Sequence, residues 1–221
     1  MMLKLFLDLF LKQNCPLCGT VAEDRLCYYC QQKLADCQLE GDFFWLEEGF
    51  FLFSWGKYDG HLRRCITLLK YNGRRELGEL FGQWLGEKWI VCNHQRRYKQ
   101  LIVVPIPIHE QKLKTRGYNQ AELVAQGFCK ITGYTLQPHL LLRVKNTKAM
   151  FGLKPTERQE NIRQAFQLAK DYKRKINPNT PILIMDDIYT TGTTVREAKA
   201  VLAKGKLKTV GVATLSLSSH S

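Results

Sequence analysis

The stretch Ile182–Thr194, ILIMDDIYTTGTT, concentrates more chemistry than any other part of the chain. An apolar run reads as a buried strand that ends in two adjacent carboxylates, Asp186 and Asp187. A turn of hydroxyls and one glycine follows, and a helix then begins. In parallel α/β sheets, ligands collect at the carboxyl ends of strands, where this turn falls. Its amides and the positive end of the helix suit a phosphate. Thr190, Thr191, Thr193 and Thr194 add hydroxyl donors, and Gly192 admits close backbone approach. Carboxylates repel phosphate but accept hydrogen bonds from vicinal hydroxyls, so the acid pair ahead of the cradle reads as a ribose 5-phosphate site. As strand-end groups, both carboxylates are expected to lie outside the core. A strand leading into an Asp-capped helix would account for one aspartate and one threonine, but not for two acids and four threonines.

A second constellation is Cys15-x2-Cys18-x8-Cys27-x2-Cys30. Each pair can present two thiolates from one tight turn, and two such turns complete a tetrahedral four-sulfur zinc shell. Gly19 gives the first turn its backbone freedom. Four protein ligands leave no open position, so the metal is expected to be structural. Four thiolates also suit an iron–sulfur cluster, and Cys37 lies close enough in sequence to replace one ligand. A redox dithiol would call for a βαβ pattern beside one pair, and none starts there. Cys65, Cys92 and Cys129 stand alone in apolar or helical stretches and read as small core residues.

The elements that must position these groups follow from periodicity. Residues 40–55 are acidic and aromatic and read as a strand or packed connector between two modules that touch. From His61 to Trp89 apolar residues recur at helical intervals, broken into two helices by Asn72-Gly73. Lys70, Arg74 and Arg75 around that break either contact phosphate or solvate it. Residues 101–107 form a buried strand ending in prolines, and a helix is expected over Gln120–Thr132 with Asn119 as its cap. A strand at 181–185, a helix from Thr194 to about Lys204 and a strand at 210–215 complete the pattern. Strands alternating with helices give an α/β fold, a parallel sheet flanked by helices. The expected division is a metal module with an N-terminal helix at 1–45 and the larger domain at 46–221.

The chain of 221 residues carries a net charge of +13, which favours anionic partners. Residues 1–50 are net −4, whereas residues 143–180 are net +7, so the anion-binding face belongs to the larger portion. With 45% hydrophobic residues the chain is neither disordered nor fibrous. The absence of an 18-residue apolar run argues against membrane insertion. Lys4 and Asp8 interrupt the opening apolar segment, which reads as an amphipathic helix rather than an export signal, so a reducing, cytoplasmic location is expected.

ILIMDDIYTTGTT resembles the phosphoribosyl-pyrophosphate signature of type I phosphoribosyltransferases. With the four cysteines ahead of it, the whole chain resembles the ComF (ComFC-like) family of competence-associated proteins. Val104–Pro107 leading to Arg116-Gly117-Tyr118-Asn119-Gln120 is similar to the family's VP…RG[FY]NQ segment. Arg143…Thr147 and Arg158-x2-Asn161-x4-Phe166 are similar to further family blocks, and Met150 departs from the glutamine usual there. The resemblance implies that Asp186 and Asp187 hold ribose hydroxyls and that residues 190–194 cradle the 5-phosphate. It places His109 and Lys112 near the pyrophosphate, with Mg2+ bridging pyrophosphate and ribose oxygens. Arg116, with Lys112 and His109, is a candidate catalytic residue through stabilisation of departing pyrophosphate. The basic stretch 143–163 could form a lid, and Tyr118, Phe151 and Tyr172 could stack on single-stranded DNA. The implied role is DNA uptake in natural transformation beside a ComFA-type DNA helicase. It is served either by a working transferase or by a non-catalytic accessory protein that binds single-stranded DNA.

Overall fold

The computed structural model describes residues 13–41, 43–145 and 164–218. The expected N-terminal helix, Thr147, Met150, Phe151, Arg158, Asn161, Arg163 and most of the expected lid lie outside them. A short hairpin, β1 (Gln13–Asn14) with β2 (Val21–Ala22), and helix α1 (Tyr28–Ala35) carry the four cysteines. Strands β3 (Phe43–Glu47) and β4 (Phe50–Lys57) form an antiparallel pair. Helices α2 (Gly60–Tyr71) and α3 (Glu76–Val91) follow, separated at Asn72-Gly73 as the pattern predicts. After the short α4 (His94–Arg97) come β5 (Ile102–Pro105), α5 (Glu110–Arg116), α6 (Gln120–Thr132) and β6 (Thr135–Leu136). The pair β7 (Leu141–Arg143) and β8 (Phe166–Leu168) precedes α7 (Tyr172–Lys175), β9 (Ile182–Tyr189), α8 (Thr193–Lys204) and β10 (Thr209–Leu217).

Six strands make the main sheet in the order β3-β4-β10-β9-β5-β6, parallel throughout except for the β3 edge. Alternation along each strand sends side chains to two layers. Phe51, Phe53, Val103, Leu183 and Met185 pack with apolar residues of α2, α3 and α6; Leu52, Val104, Ile184 and Val212 pack with α8 and the β7–β8 pair. The backbones of α3 and α6 come close because Gly82 and Gly127 face one another's helix. A Cβ on Gly82 would run into the Val124 carbonyl, and one on Gly127 into the Glu79 carbonyl. Leu17, Leu26 and Leu34 of the cysteine module join the same cluster as Trp55, Leu62 and Ile66, so the two modules touch.

The sequence expectation ends the ninth strand at Met185, where the apolar run stops. The structure carries it through both aspartates to Tyr189, because β10 runs alongside and supplies ladder partners, Thr214 opposite Asp186 and Leu217 opposite Tyr189. The expected module boundary at 45/46 falls inside β3, a strand of the main sheet. No helix among the described residues is long and apolar enough to cross a membrane.

Candidate functional site

Groups from α2 and β7 meet the two aspartates of β9. Asp187 is nearly buried, 4% exposed, rather than standing clear of the core, and its Oδ2 lies 2.8 Å from Lys70 Nζ in the last turn of α2. Burial acts to depress the Lys70 ammonium, but Asp187 outweighs it and holds Lys70 above its ordinary value. Lys70 therefore neither solvates the helix break nor stands available for phosphate; it balances one of the two acids. Asp186 takes the Asp187 amide on Oδ1 at 2.8 Å. Burial, then the charge of Asp187, pushes Asp186 up to about 8.

Arg143 lies within electrostatic range of Asp186, and two further cations lie within range of Arg143. Arg143, at the end of β7, feels the negative charge of Asp186 while burial pulls its guanidinium below the usual range, and it lies over the Phe166 ring at 5.5 Å. Lys112 in α5 is depressed by burial and then by Arg143 and Arg116, which places three cations within mutual range. Arg116 donates to the buried side chain of Gln120 and lies 5.6 Å from the centre of the Tyr71 ring. Asp186 and Asp187 thus meet Arg143 and Lys70 respectively, while Lys112 and Arg116 lie within range of Arg143. His109 is the N-cap of α5, its Nδ1 accepting from the Gln111 amide at 3.2 Å. Lys114 turns away and pairs with Glu110 at 2.6 Å.

The segment 116–119 is fastened to its surroundings. The Tyr118 hydroxyl donates to the Leu69 carbonyl, one residue before Lys70, and Asn119 Nδ2 donates to Ile106 O at 3.0 Å while its Oδ1 caps α6. Tyr118 is 5% exposed and Arg75 covers its ring at 5.3 Å, so it anchors the segment and cannot stack on a base. Tyr172 is half-buried with its hydroxyl on Gly205 O at 3.3 Å, against the β8–α8 side of the fold.

The turn after β9 is built as the residue types require. Gly192 adopts φ +71° and caps α8, so no side chain occupies the first-turn amides, and no acid stands in that turn. Thr191 and Thr193 share a hydroxyl contact at 2.9 Å, and Arg196 Nη2 reaches Thr193 Oγ1 at 3.3 Å. Thr190 and Thr194 flank them, partly buried. Free amides, aligned hydroxyls and a guanidinium together suit an oxyanion. Arg196 escaped the sequence reading because a single arginine one turn into a helix looks like an ordinary surface residue. A cavity of about 370 Å3 lined by Lys99, Tyr134 and Asn177 among others lies by the start of β5, away from these groups.

In the N-terminal module the sulfurs of Cys15, Cys18, Cys27 and Cys30 all lie within 4.8 Å of one another, Cys18 and Cys27 at 3.5 Å. Sulfurs held tetrahedrally about 2.3 Å from zinc are about 3.8 Å apart, so the cluster fits a closed structural zinc site. Hydrogen bonds from Thr20 hold the Cys18 thiol down at about 6, toward the thiolate a metal needs. Cys37 points elsewhere, toward the carbonyls of Lys33 and Asp59, and the other four sulfurs cluster without it.

No protein-family model matches the chain. It is 25% identical to competence protein ComFC of Bacillus subtilis over 206 residues, 91% of this chain and 76% of that protein. It is 26% identical to the DNA utilization protein YhgH of Salmonella typhi, across 90% of this chain and 81% of that one. Competence protein F of Haemophilus influenzae is 32% identical over 111 residues, half of this chain and 47% of that protein.

Proposed function

The chain belongs to the ComF family, and on that footing we propose that the carboxyl end of β9 binds a phosphoribosyl group, as phosphoribosyl pyrophosphate, in the service of DNA uptake. The observation that carries this reading is the succession of two unlike halves, one on strand β9 and one on the turn that follows it. A hydroxyl-accepting acid, Asp186, stands at one end, and an amide-and-threonine cradle at residues 190–194 stands at the other. Asp186 would accept from the ribose hydroxyls, and Lys70 balances the charge of Asp187. Thr191, Thr193 and the first-turn amides of α8 would hold the 5-phosphate. Lys112, Arg116 and Arg143, which lie within range of one another, would supply positive charge to a pyrophosphate.

Mg2+ prefers few carboxylates plus phosphate oxygens, and that fits an environment with one uncommitted acid among cations, where the ligand itself would supply most donors. When bound, the ion would spread the charge of the leaving pyrophosphate; this chain contributes Asp186 and the three cations around it. The names of the relatives, competence and DNA utilization proteins, support a place in the handling of incoming DNA. They equally suit an accessory protein that holds single-stranded DNA without turnover, alongside a ComFA-type helicase in the cytoplasm.

Calorimetry with phosphoribosyl pyrophosphate and Mg2+, followed by a pyrophosphate-release screen over nitrogenous acceptors, tests the proposal. Binding that Asp186→Asn weakens supports the site. Release with an acceptor makes the protein a transferase, and binding without release makes it an accessory. Absence of binding to the wild-type chain refutes the reading.

A further inference from the structure

Of the three aromatic residues expected to stack on a base, Tyr118 is buried, Tyr172 is half-buried with its hydroxyl on Gly205, and Phe151 lies outside the described residues. The structure offers a different ring. Tyr71 closes α2 with 71% of its surface exposed, and the Arg116 guanidinium lies over it, 5.6 Å from the ring centre. That guanidinium is in turn held by the buried Gln120 side chain, so the ring has a fixed cationic backing rather than a mobile neighbour. Tyr71 also directly follows Lys70, whose ammonium is 2.8 Å from Asp187. Tyr71 and Lys70 share the last turn of α2, so the turn that meets Asp187 also carries the ring.

We infer that Tyr71, backed by Arg116, is the stacking platform for a nucleobase whose ribose phosphate lies at the carboxyl end of β9. This deepens the phosphoribosyl reading and rests on it for the placement of the sugar. A tyrosine face accepts any base, because every base has a π surface, and a ring already ordered by an arginine loses little freedom on binding. The same chemistry serves a free nucleobase or nucleotide at the site and a base within a single strand.

The test compares the full chain with Tyr71→Ala and Tyr71→Phe, using three probes: phosphoribosyl pyrophosphate with Mg2+, a free nucleoside monophosphate, and a short fluorescent oligothymidylate. Tyr71→Ala is expected to lose about tenfold in affinity for the base-bearing probes, the effect of one lost base–aromatic stack. Tyr71→Phe retains the affinity, and binding of the baseless sugar phosphate is unchanged. Loss with both base-bearing probes assigns the platform to a ligand of the site itself; loss with the oligomer alone assigns it to DNA. Tyr28→Ala serves as control, since Tyr28 is 77% exposed in the cysteine module. Unchanged affinity of Tyr71→Ala for both base-bearing probes, or an equal loss in Tyr28→Ala, overturns the inference. Failure of the wild-type chain to bind the sugar phosphate, with oligomer binding still dependent on Tyr71, refutes the phosphoribosyl reading and leaves the stack standing as a DNA contact.

Discussion

Lys70 and Asp187 meet 2.8 Å apart across the join between α2 and β9, with side chains 20% and 6% exposed. The pair fastens the end of one helix to the strand that carries the candidate ligand site. Its first consequence concerns stability. Lys70→Met leaves a buried carboxylate without its counter-charge and should cost about 3 kcal/mol in urea unfolding. Combining it with Asp187→Asn should cost clearly less than the two single changes added together, because each partner's removal is harmful mainly through the charge it strands. Additive losses would show that the ion pair does not couple the two elements.

Asp186, raised by burial and by Asp187 to about 8 from an ordinary value near 3.8, makes a pH-dependent contribution of a definite sign. Between those values the folded chain binds more of that proton than the unfolded chain, so this group makes stability fall as pH rises. Asparagine cannot ionise and escapes the penalty. Asp186→Asn is therefore expected to unfold like wild type near pH 4 but to be more stable by several kcal/mol, about 5 at most, above pH 8. It should bind phosphoribosyl pyrophosphate more weakly at the same time. Parallel stability curves across the whole pH range would contradict the raised value.

Much of this arrangement was legible in the sequence because it rests on local rules. The break at Asn72-Gly73, the Asn119 cap and the bounds of Gln120–Thr132 follow from propensity and periodicity. The four cysteines follow from spacing. What was not legible depends on contacts distant along the chain. Extension of β9 through two aspartates requires β10 as a neighbour, and no local pattern announces that pairing. Lys70 looks like any basic residue at a helix break until the fold sets it against Asp187. Tyr118 and Tyr71 are both tyrosines beside arginines, and only packing makes one an anchor and the other an exposed face.

The cysteine module predicts its own response to metal removal. One zinc per chain is expected by elemental analysis. Chelation or Cys15→Ser with Cys18→Ser should open residues 13–37 to protease, since a structural zinc contributes on the order of 10 kcal/mol to such a module. Leu17, Leu26 and Leu34 pack on Trp55, Leu62 and Ile66, so the main transition should also fall by a few degrees while the sheet persists. Unchanged proteolysis after complete zinc loss would show that packing alone holds the module.

Single-strand binding through Lys112, Arg116 and Arg143 should be strongly salt-dependent, because each phosphate contact releases a counterion. Contacts from Lys112, Arg116 and Arg143 to three phosphates would lower affinity about twentyfold between 50 and 200 mM salt. A flat response in a fluorescence titration would remove this face from any account of DNA binding.

Gly192 links the strand to the cradle and has two separate reasons to be glycine. Its φ of +71° lies in the left-handed region, and a Cβ there would press into the Tyr189 ring, 2.8 Å from Cζ. Tyr189 closes β9 and is itself packed in the α8 layer, so the ring has little room to yield. Gly192→Ala should therefore cost about 2 kcal/mol in unfolding, through strain and the clash together. It should also lower affinity for the 5-phosphate, because any shift that relieves the clash moves the first-turn amides of α8. Tyr189→Leu removes the aromatic obstacle and leaves the backbone conformation as it was. Added to Gly192→Ala, it should recover the part of the loss due to the clash and none of the part due to φ. A double variant as stable as Tyr189→Leu alone would mean that the backbone relaxes freely at this turn and that the cradle is not held in a fixed shape.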